Sequence, residues 1–127
     1  MPASFTGNGD DGRTSLLGEG RVRKDDPRID LCGDLDEASA FLGLARAMSR
    51  NEDARLVLST IQRDLHGIMA EVAALPESAA RFRTIDAPRV AWLEDVIRRW
   101  EAFVSPPEGF ILPADCLGSA AAAVART

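Results

Sequence analysis

A chain of 127 residues, 46% apolar and 28% charged, has the make-up of one ordinary folded domain, which excludes a disordered polymer and leaves little room for a second domain. Its net charge of −5 excludes general nucleic-acid binding, because a phosphate backbone needs a clustered positive field. No apolar run approaches the length of a membrane span, and the opening MPASFTGNGDD lacks the basic start and apolar core of a signal peptide, so a cytoplasmic protein without membrane contact is expected.

The first thirty residues read as a loop. FTGNGDDGRTSLLGEGRVRKDDPR, residues 5–28, holds Gly7, Gly9, Gly12, Gly18 and Gly20, and glycines, charges and Pro27 interrupt any sustained periodicity. Glycines at this density let successive backbone N–H groups converge on one anion. Asp10 and Asp11 are candidates to hold a metal ion, while Thr14, Ser15, Arg21, Arg23 and Lys24 offer donors to phosphate oxygens. The pattern suggests a loop built around a nucleotide and Mg²⁺. It is not a Walker A loop, since GxxxxGK[ST] is absent, nor a Rossmann turn, which a strand must precede. An EF-hand fails because glycines stand where carboxylates should. On residue chemistry alone, phosphate binding and a plain flexible N-terminus are evenly matched.

At Asp34 a helix is predicted to begin, with Asp34 and Glu37 at the spacing of an N-cap and its N3 partner. Leu35, Ala38, Phe41, Leu42, Ala45 and Met48 share one face through about Arg50. Asn51 to Asp53 make the turn and the next N-cap. Leu58, Ile61, Leu65, Ile68, Val72 and Leu75 then alternate in steps of three and four, the strongest helix signal in the chain, ended by Pro76. Asp86 caps a third helix with Pro88 in its first turn, where a missing N–H does no harm. This helix carries two apolar stripes: Val90, Leu93, Ile97, Trp100 and Val104 on one, and Trp92, Val96 and Phe103 on the other. A helix so wide in apolar surface contacts two neighbours, and one is expected to be another subunit.

SPPEG (105–109) reads as a turn, FILP (110–113) as an extended apolar insert, and GSAAAAVART (118–127) as the start of a fourth helix. The strand signal is negligible. The expected fold is therefore all-α, an antiparallel helical bundle with three complete helices and the start of a fourth. Residues 1–127 make one domain, with the glycine-rich loop at 1–30 and an incomplete bundle at 34–127.

Cys32 and Cys116 lie far apart without an export signal, so a disulfide is not expected, and with His66 the lone histidine a zinc site lacks ligands. Asp36 near the start of the first long helix, Arg126 at the far end of the chain and Phe110 beside Pro113 each have a structural role by default: helix-dipole partners for the two charges and a core plug for the ring.

The segments TGNGDDGRTSLLGEGRVRKDDPR, GDLDEASAFLGLARA and FILP…AR, together with IQRDL at 61–65, resemble in order and spacing the ATP-dependent corrinoid adenosyltransferases of the propanediol-utilisation type. The resemblance covers nearly the whole chain. It implies a five-helix bundle assembled as a homotrimer with active sites between subunits. It also implies a reaction in which Co(I) of cobalamin or a related corrinoid attacks the 5′ carbon of ATP and expels triphosphate. The nucleophile then belongs to the corrinoid, and the protein aligns, neutralises and eases reduction to Co(I).

Carried over by position, the resemblance assigns Thr6, Gly7, Asn8, Gly9, Thr14, Ser15 and Lys24 to ATP, with Asp10 near the metal. It assigns Phe110 to the face beneath the corrin ring, where an apolar side chain excludes a lower axial ligand, and Asp36 with Arg126 to an inter-subunit salt bridge. Four positions depart from the family pattern: Ala114 and Asp115 where glycines follow FILP, Ala123 in place of a histidine, and Ser39 in place of an asparagine. The chain also stops at Thr127, before the arginine-rich continuation of the fourth helix and the fifth helix. Weak or absent activity is therefore expected of the chain as it stands. The alternative is a non-catalytic helical remnant that binds ATP or oligomerises.

Overall fold

The computed structural model describes residues 6–18, 20–105, 108–110, 112 and 115–127. They form strands β1 (Arg13–Ser15) and β2 (Arg21–Arg23) and helices α1 (Pro27–Met48), α2 (Glu52–Ala73), α3 (Ala87–Glu101) and α4 (Leu117–Ala125). The molecule is mostly helical, but not all-α. β1 and β2 pair antiparallel in the register Arg13↔Arg23, Thr14↔Val22, Ser15↔Arg21. Each strand is three residues long, too short for the alternation by which strands are recognised in a sequence.

The hairpin is stitched to the bundle just beyond β1. Leu17 donates its N–H to Ala73 O at 2.9 Å and accepts from Leu75 N at 3.3 Å, a parallel bridge onto the end of α2. Leu16 and Ala74 are buried at this junction. The expected stretch without regular structure is thus an anchored hairpin followed by the first turn of α1.

α1 begins seven residues earlier than the Asp34 signal predicts. Asp26 is its N-cap and accepts from Arg28 N at 3.0 Å, and Pro27 follows at the first helical position. The fixed φ of proline suits that position and its missing N–H is one the helix would leave unpaired anyway, so Pro27 starts the helix rather than breaking the chain. Asp34 and Glu37 then lie within the helix. The cap read at Asp86 is present, Asp86 Oδ1 accepting from Arg89 N at 2.8 Å, and within the turn read at Asn51 to Asp53 the cap is Asn51, whose Oδ1 accepts from Ala54 N at 2.9 Å.

α1 packs against both α2 and α4. Between α1 and α2, Gln62 Nε2 donates to Ser39 O at 2.9 Å, and Gly43 makes room for it, since a Cβ there would lie 3.0 Å from Nε2. α3 is held to α2 by two polar contacts the same eleven residues apart on both helices, which makes the pair antiparallel: Arg89 to Asp64 at 2.8 Å, and Trp100 Nε1 to Asp53 Oδ2 at 2.9 Å. The Arg89 guanidinium also lies 4.0 Å from the centre of the Trp92 ring, a cation–π contact. IQRDL therefore serves packing through two side chains, Gln62 toward α1 and Asp64 toward α3.

The two stripes read on the third helix are unevenly buried. Val96, on the second, is 1% exposed and is the most completely buried large side chain described, whereas Phe103, on the same stripe but beyond the end of α3 at Glu101, is 88% exposed. Val90, Leu93, Ile97, Trp100 and Val104, on the first, are all exposed. α4 begins at Leu117, capped by Cys116, whose sulfur accepts from Ser119 N at 3.4 Å while the Ser119 hydroxyl accepts from Cys116 N at 3.1 Å. The Ser119 amide and hydroxyl draw the Cys116 thiol below its ordinary value, and burial pushes the Cys32 thiol up. Of the FILP insert and the substitutions after it, Ile111, Pro113 and Ala114 lie outside the described residues.

Candidate functional site

The glycine loop is built from two successive turns. Asp10 N donates to Gly7 O at 3.1 Å and Gly12 N to Gly9 O at 3.2 Å, and the chain then enters β1. Gly7 and Gly12 take φ of 68° and 77°, the left-handed region that an L side chain rarely adopts, so these two positions hold the turn geometry. Lys24 N donates to Gly12 O at 2.9 Å, which ties the end of β2 back to the loop. Its side chain crosses Gly9, where a Cβ would sit 3.1 Å from Nζ. The loop backbone and the single lysine of the chain thus share one surface.

Strand pairing sorts the remaining candidates. Side chains alternate between faces along a strand, so Thr14, opposite Val22, stands on one face of the hairpin, and Ser15 stands on the other with Arg13, Arg21 and Arg23. Two of the arginines offered as phosphate donors are committed to carboxylates. Arg23 pairs with Asp25 at 2.6 Å, and Arg21 clasps both oxygens of Asp11 at 2.8 and 2.9 Å. The Arg21 guanidinium, together with the Arg13 amide, holds the Asp11 carboxyl below its ordinary value. Asp11 is therefore an ion-pair partner, and Asp10 is the exposed carboxylate left beside the turn. Among the described residues no group of three or more His, Cys, Asp or Glu side chains gathers as a metal cage. Thr6 accepts from Asn8 N at 3.4 Å, a local contact that shapes the loop entry.

The other candidates lie on the bundle. Asp36 is exposed on α1, and Arg126, exposed, is the C-cap of α4. A cleft of about 290 Å³ opens between these helices, lined by Asp34, Glu37, Ala38 and Phe41 from α1 and by Val124, Ala125 and Thr127 from the chain's end. Asp36, in the middle of α1, and Arg126 each neighbour residues that line this cleft, and they form no salt bridge with each other within the chain. Phe110 lies in the connection between α3 and α4 and is 90% exposed, so it plugs no core within one chain. The structure brings the loop residues and Lys24 together and leaves Phe110, Asp36 and Arg126 as separate surface features.

The family model for cobalamin adenosyltransferase matches residues 4–127. The chain belongs to the cobalamin adenosyltransferase family. It is 37% identical over 126 residues to the corrinoid adenosyltransferase PduO of Salmonella typhimurium, covering 98% of this chain and 38% of that protein. It is 35% identical over 124 residues to a corrinoid adenosyltransferase of Citrobacter freundii, covering 97% of this chain and 70% of that one. A variant of the PduO-type ATP:corrinoid adenosyltransferase of Lactobacillus reuteri, solved with cobalamin and ATP, superposes with a TM-score of 0.82 at 28% identity, over 98% of this chain and 68% of that one. The adenosyltransferase-family chain thus spans about two fifths to seven tenths of the length of these relatives.

Sequence reasoning missed the clasp of Arg21 on Asp11 within the family's loop. It treated both as ligand groups because it assigned no strand there. The register that opposes Ser15 to Arg21 was the missing signal.

Proposed function

We propose that this chain carries the ATP- and corrinoid-handling unit of an adenosyltransferase that moves the 5′-deoxyadenosyl group of ATP onto Co(I) of cobalamin or a related corrinoid, releasing triphosphate. The observation that carries the reading is the crossing of Lys24 over Gly9 in a loop whose turns need glycine, within a chain of this family. A phosphate chain laid on that surface meets backbone N–H groups and one ammonium together. Thr6, Gly7, Asn8, Gly9, Thr14, Ser15 and Lys24 are the proposed ATP contacts. Asp10 is the proposed Mg²⁺ ligand, and one exposed carboxylate fits an ion that keeps its waters and takes its other ligands from substrate phosphates.

In the transfer, the cobalt electron pair forms the bond to C5′ as the C5′–O bond breaks, and the departing triphosphate takes the negative charge. Lys24 and the loop amides neutralise that charge. Phe110 is the proposed apolar group under the corrin ring, and Asp36 with Arg126 the proposed salt bridge between subunits of a cytoplasmic homotrimer. Its high exposure in one chain supports a role for Phe110 that a second subunit or the corrinoid completes.

Anaerobic incubation with ATP, Mg²⁺ and chemically reduced cobalamin, followed optically, tests the reading. Conversion to adenosylcobalamin is the expected result. ATP binding without any corrinoid binding in separate titrations would favour a non-catalytic nucleotide-binding unit instead.

A further inference from the structure

The strands of the hairpin read Arg13-Thr14-Ser15 and Arg21-Val22-Arg23, so Val22 is the one apolar side chain among them. Alternation places it on one face with Thr14, its partner across the pair, and that face is half-buried, while Arg13, Ser15, Arg21 and Arg23 are exposed. A valine on a half-buried sheet face is ordinarily covered by a packed helix or a second sheet. Among the described residues no helix backbone comes close to either strand, and the bridge that anchors the hairpin lies beyond β1, at Leu17. Val22 is therefore not part of the bundle core.

The same face leads to the glycine loop. Lys24 N donates to Gly12 O at 2.9 Å, which carries the ladder one step past β2, so alternation brings Lys24 to the Val22 face. The side chain agrees, since a Cβ on Gly9 would sit 3.1 Å from Lys24 Nζ. The Gly9–Lys24 surface thus continues along the hairpin into Val22 and Thr14. Two residues of extended chain separate Lys24 from Val22 by roughly 6.5 Å, a distance comparable to the span of a triphosphate chain. A nucleotide with its phosphates at Gly9 and Lys24 has its ribose and base within reach of Val22. Chemistry sorts the two ends in the same sense, with an ammonium at one and an isopropyl group at the other.

We infer that Val22 is a binding residue for the nucleoside half of ATP, packing against ribose and adenine while Lys24 and the loop hold the triphosphate. This inference rests on the proposed nucleotide reading of the loop, and it describes the complex with ATP bound. The apolar surface that Val22 leaves half-covered in the free chain is then removed from water by the substrate. Inorganic triphosphate, the product, lacks the nucleoside and gains nothing from Val22. The residue therefore separates substrate from product.

The test is calorimetric titration of the full chain with ATP and, separately, with inorganic triphosphate, both with Mg²⁺, in wild type, Val22→Ala and Val22→Thr. Val22→Ala removes two methyl groups and is expected to weaken ATP roughly fivefold while leaving triphosphate within about twofold of wild type. Val22→Thr keeps the branched shape and the preference for extended chain, so it tests the contact even if Val22→Ala folds poorly. It is expected to weaken ATP by a smaller factor and to leave triphosphate unchanged. Equal loss for both ligands overturns the assignment, because Val22 would then act through the hairpin and not on the nucleoside. Unchanged ATP affinity in both variants also overturns it, and weakened self-association in sedimentation would then make a second subunit the covering group. A wild-type chain that binds neither ligand overturns the nucleotide reading itself and the assignment with it, a result distinct from the others.

Discussion

The glycine loop and the α3 side of the molecule solve opposite problems. The loop is dense in internal hydrogen bonds: turns at Gly7 and Gly9, a strand pair, the Arg21 clasp and the bridge to Ala73 and Leu75. It needs no second chain to hold its shape. α3 is tied to α2 by Arg89 and Trp100 and buries Val96, yet presents a stripe of exposed apolar side chains, and the connection after it exposes Phe110. The buried apolar residues described are Leu16, Ala45, Val57, Ala74, Val96 and Ala121, none larger than leucine. A core so thin is typical of a unit whose apolar surface is finished by something else. Polar geometry is local and complete on one side, and apolar surface is left exposed on the other.

The sharpest break of that contrast is Phe110→Ala. If Phe110 acts at the corrinoid and the loop stands alone, adenosyl transfer should fall roughly 100-fold, the scale seen when one group acting at a reacting centre is removed. ATP affinity should stay at the wild-type value. The checks are the anaerobic optical assay and calorimetric ATP titration. Parallel loss of ATP affinity would mean that the loop depends on the α3–α4 connection after all.

A second pair of variants separates core from covering surface. Val96→Ala removes buried methyl groups and should lower unfolding free energy by about 2 kcal/mol in urea titrations. Phe103→Ala, at a ring that is 88% exposed, should change the stability of the isolated chain by no more than about 0.5 kcal/mol while weakening self-association in sedimentation. Equal destabilisation by both, with sedimentation unchanged, would show that the exposed apolar surface around Phe103 has no partner.

How legible each region was follows from the same contrast. α2, the capping turn at Asn51 to Asp53 and the cap at Asp86 were plain in the sequence because periodicity and capping are local, and both act within one turn of the residues that signal them. The start of α1 was misread because Pro27 breaks a helix everywhere except in its first turn, and deciding which applies required seeing Asp26 as the cap. The hairpin was illegible because three-residue strands carry no period, and with it went the pairing of Arg21 with Asp11. At the site, the glycines and Lys24 could be grouped from spacing, since the loop is contiguous. No pattern within one chain shows how Phe110, Asp36 and Arg126 relate to that loop, because each is an exposed feature on a different element.

The smallest expected effect lies where the loop enters the bundle, at the start of α1. The Arg28 guanidinium beside Asp26, and then the Arg28 amide, lower its carboxyl from 3.8 to about 2. A carboxylate whose folded value is depressed stabilises the folded state fully above its unfolded value and loses that contribution as pH falls through the folded one. The support from Asp26 should therefore be intact above about pH 4 and gone near pH 2. Side-chain NMR titration of Asp26 should place its midpoint near 2, and amide exchange at Ile29 and Asp30, both bonded to Asp26 O, should accelerate across that window. Asp26→Asn keeps a capping oxygen while removing the titration, so its exchange should lose the pH dependence. A midpoint near 3.8 would mean that Arg28 swings free in solution, and the loop would then enter α1 through a hinge instead of a fixed joint.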